Sequence, residues 1–210
     1  MIGLLLKDFY TLKQYTRSIL IMLVFFALIS VGMDNSTSFF QGMFVMLFMT
    51  MTISSFSYDN LAKWDRYALS LPVTKSTVVA SKYLLAIIMS MFGSAIAFLA
   101  TSIMLIFRPV EGFGIREHLL VTYGVIMVAI FFASILLPLI YKFGVEKSRL
   151  FLIAIFAVPF SLVVLLDKLG IALPPKETLI TLFKLMPVLV LLIFFVSYLL
   201  SVGIYKNKEI

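Results

Sequence analysis

Leu84-Leu-Ala-Ile-Ile-Met-Ser-Met-Phe-Gly-Ser-Ala-Ile-Ala-Phe-Leu-Ala-Thr-Ser-Ile-Met-Leu-Ile-Phe107 contains no charged side chain over its whole length. A helix that crosses a bilayer needs about 20 predominantly apolar residues, within a range of about 17–25. This run therefore reads as one full crossing. Five more runs share its character: Ser18–Met33, Phe39–Ser57, Leu119–Tyr141, Leu150–Leu166 and Leu179–Ile204. The first is short and borrows Tyr15 and Thr16. The last carries Lys184 and Pro187, which places its first turns in the interface. The chain as a whole is 62% hydrophobic and 13% charged, whereas an ordinary soluble domain carries about 25% charged residues. Lipid has to cover such a surface. The expected fold is all-α integral membrane: six transmembrane helices in a single domain over 1–210, an N-terminal interfacial helix over 1–17, and a loop over 58–83 between spans two and three that holds a further helix.

Charge orients the chain. The net charge is +7, which in a membrane protein faces anionic lipid and sets topology; no nucleic-acid partner is expected. Lys7, Lys13, Arg17, Lys63, Arg66, Lys75, Lys82, Lys142, Lys147, Arg149, Lys206 and Lys208 fall on one side of the six spans. Only Arg108, Arg116, Lys168, Lys176 and Lys184 fall on the other. Both termini are thus expected in the cytoplasm, with the protein in the cell membrane of a bacterium. The outer connection near Asp34–Thr37 is short enough to make spans one and two a hairpin.

The spans exclude several function classes. The cores of the first five lack Asp, Glu, Lys, Arg and His, the residues that mark proton pathways inside membranes. No Gly-x-Ser-x-Gly elbow and no phosphate-binding Gly-Lys-Ser/Thr loop occur, so any ATP hydrolysis has to come from another polypeptide. With no Cys there is neither a disulfide framework nor a thiolate metal site, and no metal ligand set is expected. The lone His118, at the mouth of span four, reads as an interfacial residue. Ser90, Gly93, Ser94, Ala97 and Thr101 line one side of span three, where small residues allow close helix approach, within the chain or, as the alternative, at a subunit interface. Pro138 and Pro159 can bend spans four and five. Pro159, with Phe44 and Phe48 among the many aromatics of span two, is a candidate for a conduit or gate; packing is the alternative reading of all three. Thr178–Leu185 reads as an interfacial anchor, with a short amphipathic or re-entrant helix near the outer exit as the alternative.

Two segments outside the spans carry more specific signals. Ile2, Leu5, Leu6, Phe9 and Leu12 recur at helical spacing, with Lys7, Gln14 and Arg17 opposite, as in a helix lying in the membrane interface. This segment is either a topogenic anchor or an elbow that passes movement to span one. In the 58–83 loop a helix is expected over Asn60–Leu69, with Leu61, Trp64 and Ala68 on one face and Lys63, Asp65 and Arg66 around it. Leu71, before Pro72, should end it, and Thr74 should cap the helix that follows. Trp64 and Tyr67 serve equally well as anchors in a partner's groove or as interfacial belt residues.

The run Asp59-Asn-x-x-Lys-Trp-Asp-x-Tyr67, then Ser70-Leu-Pro-Val73, Lys75 and Val79-Ala-Ser-Lys-Tyr83, together with Leu5-Leu-Lys-Asp8, resembles the small permease subunits of ABC-2-type exporters. The layout of the whole chain is similar to theirs. The resemblance implies a homodimeric permease bound to two copies of a separate ABC ATPase. ATP and Mg would bind on that partner, and no cofactor on this chain. It implies that the 58–83 loop supplies the coupling helix, with Leu61, Lys63, Trp64, Asp65, Arg66 and Tyr67 at the docking surface and Leu71 and Pro72 at its exit. Lys7, Asp8, Phe9 and Arg17 of the elbow helix would flank it. A conduit would form between two permeases from spans one, two and five. The resemblance implies a cargo range from amphipathic peptides and antibiotics to lipids and polysaccharides; the charge-free interior points within it to an amphipathic peptide of toxin or antimicrobial type, or another hydrophobic molecule. The rival readings are a substrate-binding importer component, an immunity subunit, and a lipid-modifying enzyme built on Glu111, Arg116, Glu117 and His118.

Overall fold

The structure is a computed structural model that describes residues 1–31, 37–107, 114–148, 150–151, 161, 165, 168–169 and 175–208. No strand occurs among the described residues. The helices are α1 (Ile2–Leu12), a 3-10 turn (Lys13–Tyr15), α2 (Thr16–Val31), α3 (Thr37–Leu61), α4 (Trp64–Ser70), α5 (Lys75–Phe107), α6 (Ile115–Phe143) and α7 (Lys176–Lys206). Four stretches among the described residues are long and apolar enough to cross a membrane: Phe40–Leu61, Lys75–Phe107, Ile115–Phe143 and Thr181–Lys206. They correspond to the second, third, fourth and sixth expected spans. α2 covers the first with 16 residues. Most of the fifth, including Pro159, lies outside the described residues, as does nearly all of the Asp34–Thr37 connection.

The chain forms two compact units, Met1–Ile130 and Phe131–Lys208. In the first, α3 against α5 is the most extensive helix pairing. Small residues make it possible. Ser90, Gly93, Ser94, Ala97 and Thr101 are all buried on α5. A Cβ added to Gly93 would stand 2.7 Å from Phe48 Cβ, too close for any side chain. Phe48 packs its ring edge-on to Phe92 at 5.6 Å and joins Leu12, Ile19, Met51, Leu85 and Met89 in one buried cluster. Phe40, Phe44 and Ala97 form another.

In the second unit, Ser197 Oγ donates to the Ser134 carbonyl at 2.5 Å, and the rings of Tyr141 and Tyr205 meet edge-on at 5.4 Å. Pro138 and Pro187 lie inside α6 and α7 without ending them. α6 stops at Gly144, whose φ of +81° is in the left-handed region that favours glycine. α7 is one continuous helix of 31 residues. At 1.5 Å per residue it is about 46 Å long, so its first turns take the place of a separate short helix over Thr178–Leu185.

Candidate functional site

The site starts from one row of α1. Leu4, Asp8 and Leu12, spaced by four, are its buried residues. The expected apolar face divides: Leu5 packs against the core, while Ile2, Leu6 and Phe9 are exposed. The side of α1 turned to the protein is therefore centred on a carboxylate.

Asp8 is 1% exposed and sits among partners drawn from three helices. Ser55 Oγ of α3 donates to Asp8 Oδ1 at 2.9 Å. Lys82 Nζ of α5 donates to the same oxygen at 2.8 Å and lies 2.5 Å from Asp59 Oδ2 at the end of α3. Lys7 Nζ completes the group, 2.5 Å from Asp59 Oδ1 and 3.1 Å from Asp8 Oδ1. Two cations and two anions thus balance in a largely buried space. Lys7 Nζ also stands 4.3 Å from the centre of the Trp64 ring, within the range of a cation–π contact. The result is a clamp in which α1, α3 and α5 share charges, with α4 joined to it through Trp64. Asp8 Oδ2 is buried without a hydrogen-bond partner among the described residues.

α4 owes its placement to Lys63. α3 continues through Tyr58, Asp59, Asn60 and Leu61, so the helix expected over Asn60–Leu69 begins at Trp64 instead. Lys63, at φ 50° and ψ 38°, is left-handed and turns the chain between the two helices. Its N–H bonds the Asn60 carbonyl at 3.1 Å, and its own carbonyl accepts from Arg66 N–H at 3.2 Å. Leu71, extended at φ −88° and ψ 150°, has the geometry required of a residue before proline. Thr74 caps α5: its Oγ1 accepts from Thr77 N–H at 3.2 Å.

The residues singled out in the loop divide by face. On α4, Ala68 is buried, and Trp64 and Asp65 are half-buried. Asp65 lies in the first turn, where a negative charge complements the helix dipole. Lys63, Arg66 and Pro72 are exposed, as are Leu61 at 80%, Tyr67 at 64% and Leu71 at 42%. Arg17 is exposed on α2. Phe44 and Phe48 are buried in the α3–α5 core.

The far end of the same unit carries a polar network. Gln41 Nε2 donates to Thr101 Oγ1 and Thr122 Oγ1, each at 3.1 Å. His118 Nε2 is 2.7 Å from Thr101 Oγ1, and its ring stacks on Phe98 at 4.2 Å. His118 is 3% exposed, so its ring packs inside the protein. Glu117 accepts the Gly114 N–H at 3.0 Å, closing the start of α6. Both thus hold structural positions. Among the described residues no group of three His, Cys, Asp or Glu is placed to hold a metal ion.

Sequence reasoning named Lys7, Asp8 and Trp64 but did not join them, and it missed the roles of Ser55, Asp59 and Lys82. The available signal was depth. Asp59 closes an apolar span and Lys82 opens the next, so both lie at the membrane end where Asp8 is expected.

The sequence model for ABC-2 family transporter proteins matches residues 3–206. No curated protein and no solved structure gives a significant match. With the family pattern spanning nearly the whole chain and membrane-length helices beneath it, the chain belongs to the ABC-2 transporter family, as the membrane-embedded permease subunit of an ABC transporter whose partner is an ABC ATPase.

Proposed function

We propose that this permease exports amphipathic peptides or other hydrophobic cargo, as one of two identical subunits docked on two copies of the ATPase. The observation that carries the reading is the two-sidedness of α4. Outward it offers Arg66 and Tyr67, with Leu61 and Leu71 at its ends, all exposed. Inward it sets Trp64 under Lys7. A short helix with an exposed aromatic and a cation suits a groove in a soluble partner. The inward contact supplies a path for movement. ATP and Mg stay with the partner. Closure of the ATPase pair shifts α4, and Trp64 and Lys7 pass the shift to Asp59 and Asp8, and so to α3 and α1. Lys82 brings α5 along. Buried, mutually paired charges resist separation, which makes the group move as one body. Export of apolar cargo is supported by the first five expected spans, whose cores lack ionisable side chains.

The test is recovery of the complex. Arg66→Glu with Tyr67→Ala, both on the exposed side of α4, should insert normally in the membrane and lose most of the co-purifying ATPase. Unchanged ATPase recovery would remove the docking assignment.

A further inference from the structure

Five elements of the first unit, α1, the 3-10 turn, α2, α3 and α5, line a half-open cavity of about 690 Å³, within the range of about 300–1,000 Å³ typical of small-molecule sites. Its walls are almost wholly apolar, with Leu23, Met51, Met89, Phe92 and Ile96 among them. Its polar contributions come from one short segment, Tyr10, Lys13 and Thr16. From Thr16 to Leu23 along α2 is about 10 Å at 1.5 Å per residue, so the cavity extends from the segment that carries Lys13 to an apolar interior. Lys13 differs from its neighbours in charge balance. Lys7 and Lys82 are neutralised by Asp8 and Asp59, whereas Lys13 has no ion pair among the described residues. Arg17, one turn further on, is exposed and likewise unpaired there. Leu6, Phe9 and Leu20, also in the lining, are exposed apolar side chains, so the mouth opens on a surface suited to lipid.

We propose that this cavity holds an acyl chain of an anionic glycerophospholipid whose phosphate sits at Lys13. A water-soluble anion would have no use for the apolar interior, and a neutral lipid none for the free cation. The bound chain fills the space between α1–α2 and the α3–α5 pair, beside Leu12 and Met51 of the buried cluster. It therefore sets the seating of the elbow helix. This inference rests on the membrane reading of the chain and not on the docking role of α4, so either can fail without the other.

The experiment is native mass spectrometry of the full chain in mild detergent, offered phosphatidylglycerol or phosphatidylcholine with the same acyl chains. One phosphatidylglycerol should be retained with about fivefold preference, the worth of one surface cation toward anionic lipid. Lys13→Gln, an exposed change that leaves the fold intact, should erase the preference. Leu23→Trp, with its fold checked by circular dichroism, should fill the interior and abolish retention of both lipids. Equal retention of the two lipids by the natural chain, or an undiminished preference in Lys13→Gln, would overturn the proposal. So would displacement of the lipid by glycerol phosphate, which would reduce the site to a phosphate contact. The chain has no Cys, so Phe92→Cys gives a single thiol. A disulfide-linked dimer of that variant in membranes would assign the groove to a second copy and overturn the lipid assignment.

Discussion

Lys82 is the eighth residue of α5, its side chain is 4% exposed, and its ammonium reaches Asp8, Asp59 and Ser55. Removing one partner of a buried ion pair costs about 3–5 kcal/mol, because the remaining charge is left uncompensated. Lys82→Met leaves two carboxylates facing each other with only Lys7 between them. Its unfolding midpoint, followed by fluorescence-detected size exclusion on heating, should fall sharply. Adding Asp8→Asn should restore part of the loss, since it removes one of the stranded charges. A near-normal midpoint in Lys82→Met would show that water screens the group. None of this pairing was visible in the sequence. Asp8 and Lys82 are 74 positions apart, and no local pattern states that two such residues meet. The basic count registers Lys82 as a cation near a membrane end, and from that alone it reads as a topogenic charge.

At the scale of elements, hydrophobic patterning did well where the run was long. Leu84–Phe107 lies wholly within α5, and the small-residue side of that run is the one that meets α3, as Gly93 against Phe48 shows. The Thr74 cap and the Leu71–Pro72 exit were also legible, because each follows from a local backbone rule. The start of α4 was not. Tyr58-Asp-Asn-Leu61 contains no strong breaker, so α3 carries on through it, and the turn is made by a lysine in a conformation that sequence patterns assign to glycine. A left-handed L-residue costs about 1–2 kcal/mol. Lys63→Gly should therefore raise the unfolding midpoint of the chain, and Lys63→Val should lower it. Equal midpoints for the two variants would mean that the turn between α3 and α4 is not held at this angle. The face of α1 was half-legible for a different reason. An interfacial helix has two apolar environments, lipid and protein, and periodicity alone does not divide Ile2, Leu6 and Phe9 from Leu4 and Leu12.

The whole molecule is legible as a membrane protein from composition, and as an ABC-2 permease from the loop that interrupts its spans. Its working reading divides docking from transmission. In the function proposed above, the outward side of α4 would hold the ATPase and Lys7 would pass movement inward. Lys7→Met keeps the length of the side chain but removes its charge from Trp64, Asp59 and Asp8. In reconstituted complexes it should retain the ATPase and its basal hydrolysis while cargo no longer changes the rate. A cargo response equal to that of the natural chain would take Lys7 out of the path. The most direct measurement is photo-cross-linking from position 67 in native membranes, using a photoreactive phenylalanine in place of Tyr67. The account predicts a covalent adduct with an ABC ATPase subunit whose yield changes when ATP is added. Adducts with lipid alone would put α4 against the bilayer surface and contradict its role as the docking helix.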